Sequence, residues 1–93
     1  MNINVVNRLF SGTVSGIQYQ PVQFPALSLI NNFTVVAASS NLSPVYIGAS
    51  GLSVANSLQL NVNAGISLSI DNASLLWAIS PSGYNNSICY IGN

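Results

Sequence analysis

Apolar and polar residues alternate along most of the second half of the chain. In LQLNVNAGISLSI, Leu58, Leu60 and Val62 fall on one parity and Gln59, Asn61 and Asn63 on the other. Past Asn63-Ala64-Gly65, Ile66, Leu68 and Ile70 share a parity opposed by Ser67 and Ser69. A period of two marks a strand with one buried and one wet face, and Asn-Ala-Gly is turn chemistry. This stretch therefore predicts a hairpin. Small hydroxyls and amides keep its outer face hydrated without charge.

Other segments follow the same logic. Phe33–Ser39 (FTVVAAS) is β-branched and continuous, which predicts a central strand covered on both faces. PVYIG is a short strand ending at Gly48. SLLWAIS sets Leu75, Trp77 and Ile79 on one face and Leu76 and Ala78 on the other, with Trp77 and Phe33 expected in the core. SICYIG closes the chain and carries Cys89, expected to pack as a small apolar side chain. Asn41 to Pro44, Asp71 to Ser74 and Pro81 to Asn86 are rich in turn formers.

The N-terminal third is less regular. Ile3, Val5 and Leu9 suggest a first strand. Ile17, Tyr19, Val22 and Phe24 alternate, but Pro21 and Pro25 interrupt them, and proline removes a ladder donor. Residues 1–27 thus read either as an extended arm that reaches a neighbouring subunit or as an edge strand of the same sheet. No window sustains helical spacing. Six to eight strands in one domain, residues 1–93, imply an all-β antiparallel sandwich or small barrel.

Composition sharpens this picture. The chain has 93 residues, is 49% apolar, and has one basic and one acidic residue, Arg8 and Asp71. An ordinary domain has roughly a quarter of its residues charged. Disorder is disfavoured, because disordered chains combine low hydrophobicity with high net charge. A membrane span is disfavoured too: the longest clean apolar run, Leu75 to Ile79, falls far short of the ~20 residues a spanning helix needs. The opening MNINVVNRLF has no basic stretch followed by a long apolar one, so no secretory signal is expected. Net charge near zero removes the repulsion between copies and favours association.

The same scarcity limits chemistry. Acid–base catalysis relies on His, Asp, Glu or Lys, and only Asp71 is present. The serines lack an activating base. Zinc and calcium sites need ligand clusters the chain cannot assemble. Phosphate binding needs Lys and Arg, and Arg8 stands alone, so no nucleic acid and no cofactor are expected. Cys89 cannot form an intrachain disulfide and has no basic neighbour type to activate it. Arg8 and Asp71 are a candidate ion pair, set against solvation of each or capping by Asp71 of its own turn. Candidate surface contacts are Tyr84, Asn85 and Asn86 in the PSGYNN loop, with Tyr46. N-x-S/T sequons stand at Asn32, Asn41, Asn72 and Asn85; in so Asn- and Ser-rich a chain chance yields roughly two or three, and with no secretory signal expected they imply nothing about glycosylation.

PVYIG, then ASGLSVANSLQL, a Gly-containing turn, a Ser-rich strand and LLWAISPSG together resemble a pattern of small structural proteins of bacterial viruses, over Pro44 to Gly83. Members of that family usually carry Gly where Ser57 stands and Tyr where Trp77 stands. The N-terminal region has no counterpart there. The resemblance implies a virion component: a capsid decoration or cement protein, a vertex or fibre base, or a tail-associated protein. The expectation is a non-enzymatic jelly-roll sandwich held on the virion by the major capsid protein or other virion proteins, as a homo-oligomer, trimer or pentamer. A receptor- or carbohydrate-binding module of a fibre or tail is the alternative.

Overall fold

Strand parity decides which side chains are buried, and the buried parities of two sheets meet in one apolar cluster. The computed structural model describes residues 9–81, 83 and 85–93. Among them are eight strands: β1 (Phe10–Ile17), β2 (Val22–Gln23), β3 (Phe33–Ala37), β4 (Val45–Gly48), β5 (Leu58–Leu60), β6 (Gly65–Leu68), β7 (Trp77–Ile79) and β8 (Asn86–Gly92). Two single-turn 3-10 helices, Val54–Asn56 and Ala73–Leu75, are the only helical pieces among the described residues. The strands form two four-stranded sheets, ordered β1-β8-β3-β6 and β2-β7-β4-β5, with every pairing antiparallel.

The cluster draws Ile17, Phe33, Val35 and Ile88 from the first sheet and Val45, Ile47, Leu60 and Ala78 from the second, giving a sandwich-like all-β body. Phe24, in the β2–β3 connection, is 2% exposed and meets Phe33 edge-on, with ring centroids 5.9 Å apart at 82°. Tyr90 tilts against Phe33 at 5.4 Å. Such aromatic pairs add to their burial energy through quadrupole complementarity.

Buried amides tie the connections to this core. Asn86, the first residue of β8, is fully buried. Its Nδ2 donates to Ser43 Oγ and Ser80 Oγ, both at 3.0 Å, and shares those protons with the Ile17 carbonyl at 3.3 Å. Ser80 Oγ donates to the Pro44 carbonyl at 3.1 Å. Asn41 mimics a strand neighbour: Oδ1 accepts from Ser87 N at 2.7 Å and Nδ2 donates to Ser87 O at 2.9 Å. Buried polar groups must find such partners, and these fix the 41–44 loop against β8.

Several expectations need correction. Leu58–Ile70 is not a hairpin: β5 pairs with β4 in one sheet and β6 with β3 in the other. The turn between them exists, with Ala64 N donating to Asn61 O at 2.8 Å and Asn63 at φ 69°, but it crosses between sheets. Of its first apolar set only Leu60 is buried, while Leu58 is 49% exposed and Val62 is exposed as well. β3 is central within its sheet but covered on one face; Thr34 and Val36 stand on the outer side. Trp77 is only half-buried, because β7 turns Leu76, Ala78 and Ser80 inward. Cys89 is exposed, because Asn86, Ile88 and Gly92 fix the inward parity of β8.

Ile3 and Val5 lie outside the described residues. Leu9 is exposed and precedes β1, which runs through Gly and Ser residues along the edge of the first sheet. β2 is an edge strand of the second sheet, flanked by Pro21 and Pro25.

Candidate functional site: an uncharged cleft beside Trp77

The candidate contacts scatter. Arg8 and Tyr84 lie outside the described residues. Asn85 is exposed, and its Oδ1 accepts from Gln18 Nε2 at 2.6 Å. Asn86 is a core pin and not a surface contact, since its side chain is turned wholly inward. Tyr46 is half-buried on the outer face of the second sheet, opposite Gln59 on β5 and Ile79 on β7. Among the described residues no hydrogen bond joins Tyr46 to Asn85. Asp71 is exposed and its carbonyl accepts from Leu29 N at 2.9 Å. Capping falls to its neighbour: Asn72 Oδ1 accepts from Ser74 N at 3.0 Å and Leu27 N at 3.2 Å.

An apolar concavity lies elsewhere. An open cleft of about 700 Å³ is lined by Leu68 and Ile70 at the end of β6, Ser74 to Trp77 where the second 3-10 turn enters β7, Gly48 to Ser50 past β4, and Gln23 of β2. The register explains the opening. Trp77 stands between Gln23 of β2 and Gly48 of β4, so one flank of the indole faces a residue without a side chain. Gln23 Nε2 donates to the Ser74 carbonyl at 2.9 Å, bracing the rim.

The chemistry of the lining is narrow. Six apolar side chains, Ala49, Leu68, Ile70, Leu75, Leu76 and Trp77, face three uncharged polar ones, Gln23, Ser50 and Ser74, and no ionisable group lines the cleft. Mostly apolar concavities of a few hundred Å³ with a few polar groups are where small ligands and apolar segments bind. Ser50 and Ser74 have no base in the lining to activate them, so the cleft offers contact without an acid, a base or an activated nucleophile.

No family model matches the chain, and neither the curated proteins nor the solved structures contain a match. Among the described residues no group of three or more His, Cys, Asp or Glu side chains could hold a metal ion. No helix among them is long and apolar enough to cross a membrane.

The sequence concealed this cleft because four separate elements build it. One local signal existed: Leu75, Trp77 and Ile79 share a parity opposed by Leu76 and Ala78, so one of two apolar faces had to be the outer one. Small Ala78 fits the interior where bulky Trp77 does not.

Proposed function

We propose that the chain is a non-enzymatic structural component of a bacterial-virus particle, a decoration or vertex-associated protein that stabilises the shell by adhering to the major capsid protein or other virion proteins. The observation that carries the proposal is the uncharged cleft in a chain with one basic and one acidic side chain: it offers apolar area and neutral hydrogen-bonding groups suited to adhesion. At about 25 cal/mol per Å² of apolar burial, small contacts repeated over a shell add up, although association entropy removes much of the gain per copy.

The strand order supports a jelly-roll sandwich. Strands pair first with eighth, second with seventh, third with sixth and fourth with fifth, as in one long antiparallel ribbon. The ribbon then closes through β3–β8 and β4–β7 into two sheets. Jelly rolls of eight strands recur in viral capsid and lectin domains; fold alone does not assign function, and the cleft's uncharged lining is a second support for an adhesive role. The neutral surface favours self-association of the working unit.

Proteomics of purified particles made from the genome that encodes this chain tests the reading. The chain is expected at a stoichiometric copy number, and particles lacking it are expected to break at lower temperature. Absence from the particles, or equal stability without it, overturns the proposal.

The Trp77 cleft favours a second reading, a carbohydrate- or receptor-binding module. An indole flanked by Gly48, with Gln23, Ser50 and Ser74 nearby, suits the apolar face and hydroxyls of a neutral sugar. Titration of Trp77 fluorescence with neutral oligosaccharides is expected to saturate under this reading, and Trp77→Ala to abolish binding in a chain that still folds. No change with any of them sinks it.

A further inference from the structure

Four strands lie at sheet edges: β1 and β6 in the first sheet, β2 and β5 in the second. An edge strand presents a row of unpaired main-chain groups, which stable monomers blunt with charge, proline, bulges or brevity. Three of these edges are blunted. β2 is two residues long and stands between Pro21 and Pro25. β5 is three residues long and begins just past the 3-10 turn Val54–Asn56. β1 breaks register between Val14 and Ile17, where Gly16 takes φ 72°. β6, four residues long, is the least protected of the four. It keeps an unbroken register with β3 and continues into Ser69 and Ile70 with no proline and no charge before Asp71.

The ladder fixes which of its groups point outward. Ala37 N donates to Ala64 O at 2.9 Å. Hydrogen-bonded and non-hydrogen-bonded pairs alternate in an antiparallel ladder, so Val35/Ile66 and Phe33/Leu68 exchange main-chain bonds. The N–H and C=O of Gly65 and Ser67 therefore face the open side. Thr34 Oγ1 and Ser67 Oγ, 2.8 Å apart, fit the closer side-chain approach of the pair between. Ile66 and Leu68, half-buried, leave an apolar margin that runs on into Ile70 and exposed Leu75.

We propose that β6 pairs with β6 of a second copy of the chain, antiparallel, about a two-fold axis at Ser67. In that register Ser67 meets its own copy as a hydrogen-bonded pair and Gly65 meets Ser69. Ile66 falls opposite Leu68, twice by symmetry, covering the apolar margin on both sides. The two first sheets become one sheet of doubled width. A two-fold contact needs a self-complementary patch, and this edge is one: its outward-facing residues are small and no like charges meet across the axis. The inference does not rest on a virion role.

Sedimentation of the full chain over a wide concentration range tests it. The expected mass is a dimer or an even multiple. Ser67→Lys, which sets two ammonium groups across the axis, is expected to weaken the association at least tenfold, while Thr13→Lys on the opposite edge strand β1 leaves it unchanged. A monomer at every concentration, an odd-numbered assembly, wild-type association by Ser67→Lys, or dissociation by Thr13→Lys instead overturns the inference. A trimer or pentamer without even multiples does so while leaving the virion reading intact. Should Ser67→Lys not fold, amide hydrogen exchange on the unaltered chain decides. Ser67 and Ser69 amides are expected to slow as the dimer forms, and exchange that stays fast where the dimer predominates overturns the pairing.

Discussion

Neighbouring asparagines at the entry to β8 do opposite work. Asn85 is exposed and bonds to the Gln18 side chain, while Asn86 is buried and holds β1, the 41–44 loop and Ser80 together. Losing a buried amide that satisfies several partners costs about 1–3 kcal/mol, whereas an exposed polar truncation falls within about ±0.5 kcal/mol. Asn86→Ala is therefore expected to lower the melting temperature by about 10 °C, at roughly 4–8 °C per kcal/mol for a domain of this size. Asn85→Ala is expected to leave it nearly unchanged, and thermal unfolding of the two variants side by side checks the contrast. Gly92 is constrained differently. A Cβ there would lie 2.9 Å from Cδ1 of buried Phe33, the first residue of β3, and 3.0 Å from the carbonyl of Asn32 just before it. Gly92→Ala is expected to cost about 1–3 kcal/mol as overpacking, read as a drop in the urea midpoint.

At the scale of elements, Leu58 and Leu60 look equivalent in the sequence, two leucines of one parity in the same strand. The structure separates them: Leu60 is 4% exposed and Leu58 49%. Leu60→Ala is expected to destabilise by about 2–5 kcal/mol, the usual range for a buried leucine, and Leu58→Ala by under about 1 kcal/mol; urea titration distinguishes them. Parity and turn chemistry were legible throughout, because both are local: the Asn61–Ala64 turn and the alternation of 75–80 are visible in the residues themselves. Partner choice was not. Alternation says that β5 and β6 each have a wet face, but whether they pair with each other or separate across the core depends on β3 and β4, which lie more than ten residues away. β1 is hidden for another reason: Gly is depleted in strands, and Phe10–Ile17, with Gly12 and Gly16, forms one because β8 lies alongside it. The cleft, assembled from β2, β4, β6 and β7, was invisible until those pairings were known.

For the whole molecule, the decisive property is how few groups can ionise. The pH slope of folding stability equals the difference in protons bound by unfolded and folded states. Histidine, the side chain that ordinarily titrates between pH 5 and 8, is absent, as are Glu and Lys. The unfolding free energy is therefore expected to change by less than about 0.5 kcal/mol between pH 5.5 and 7.5, measured by urea titration at several pH values. Salt should matter as little to association. Screening acts on charges, with a Debye length of ~10 Å at 0.1 M, and the proposed β6 edge carries none between Gly65 and Ile70. Raising NaCl from ~0.05 to ~0.5 M is expected to shift the dimer dissociation constant by less than about twofold, as followed by sedimentation. A contact built on main-chain hydrogen bonds and apolar area behaves in this way. One that ran through Arg8 and Asp71, the sole opposite charges available to join two copies, would weaken steadily as salt rises.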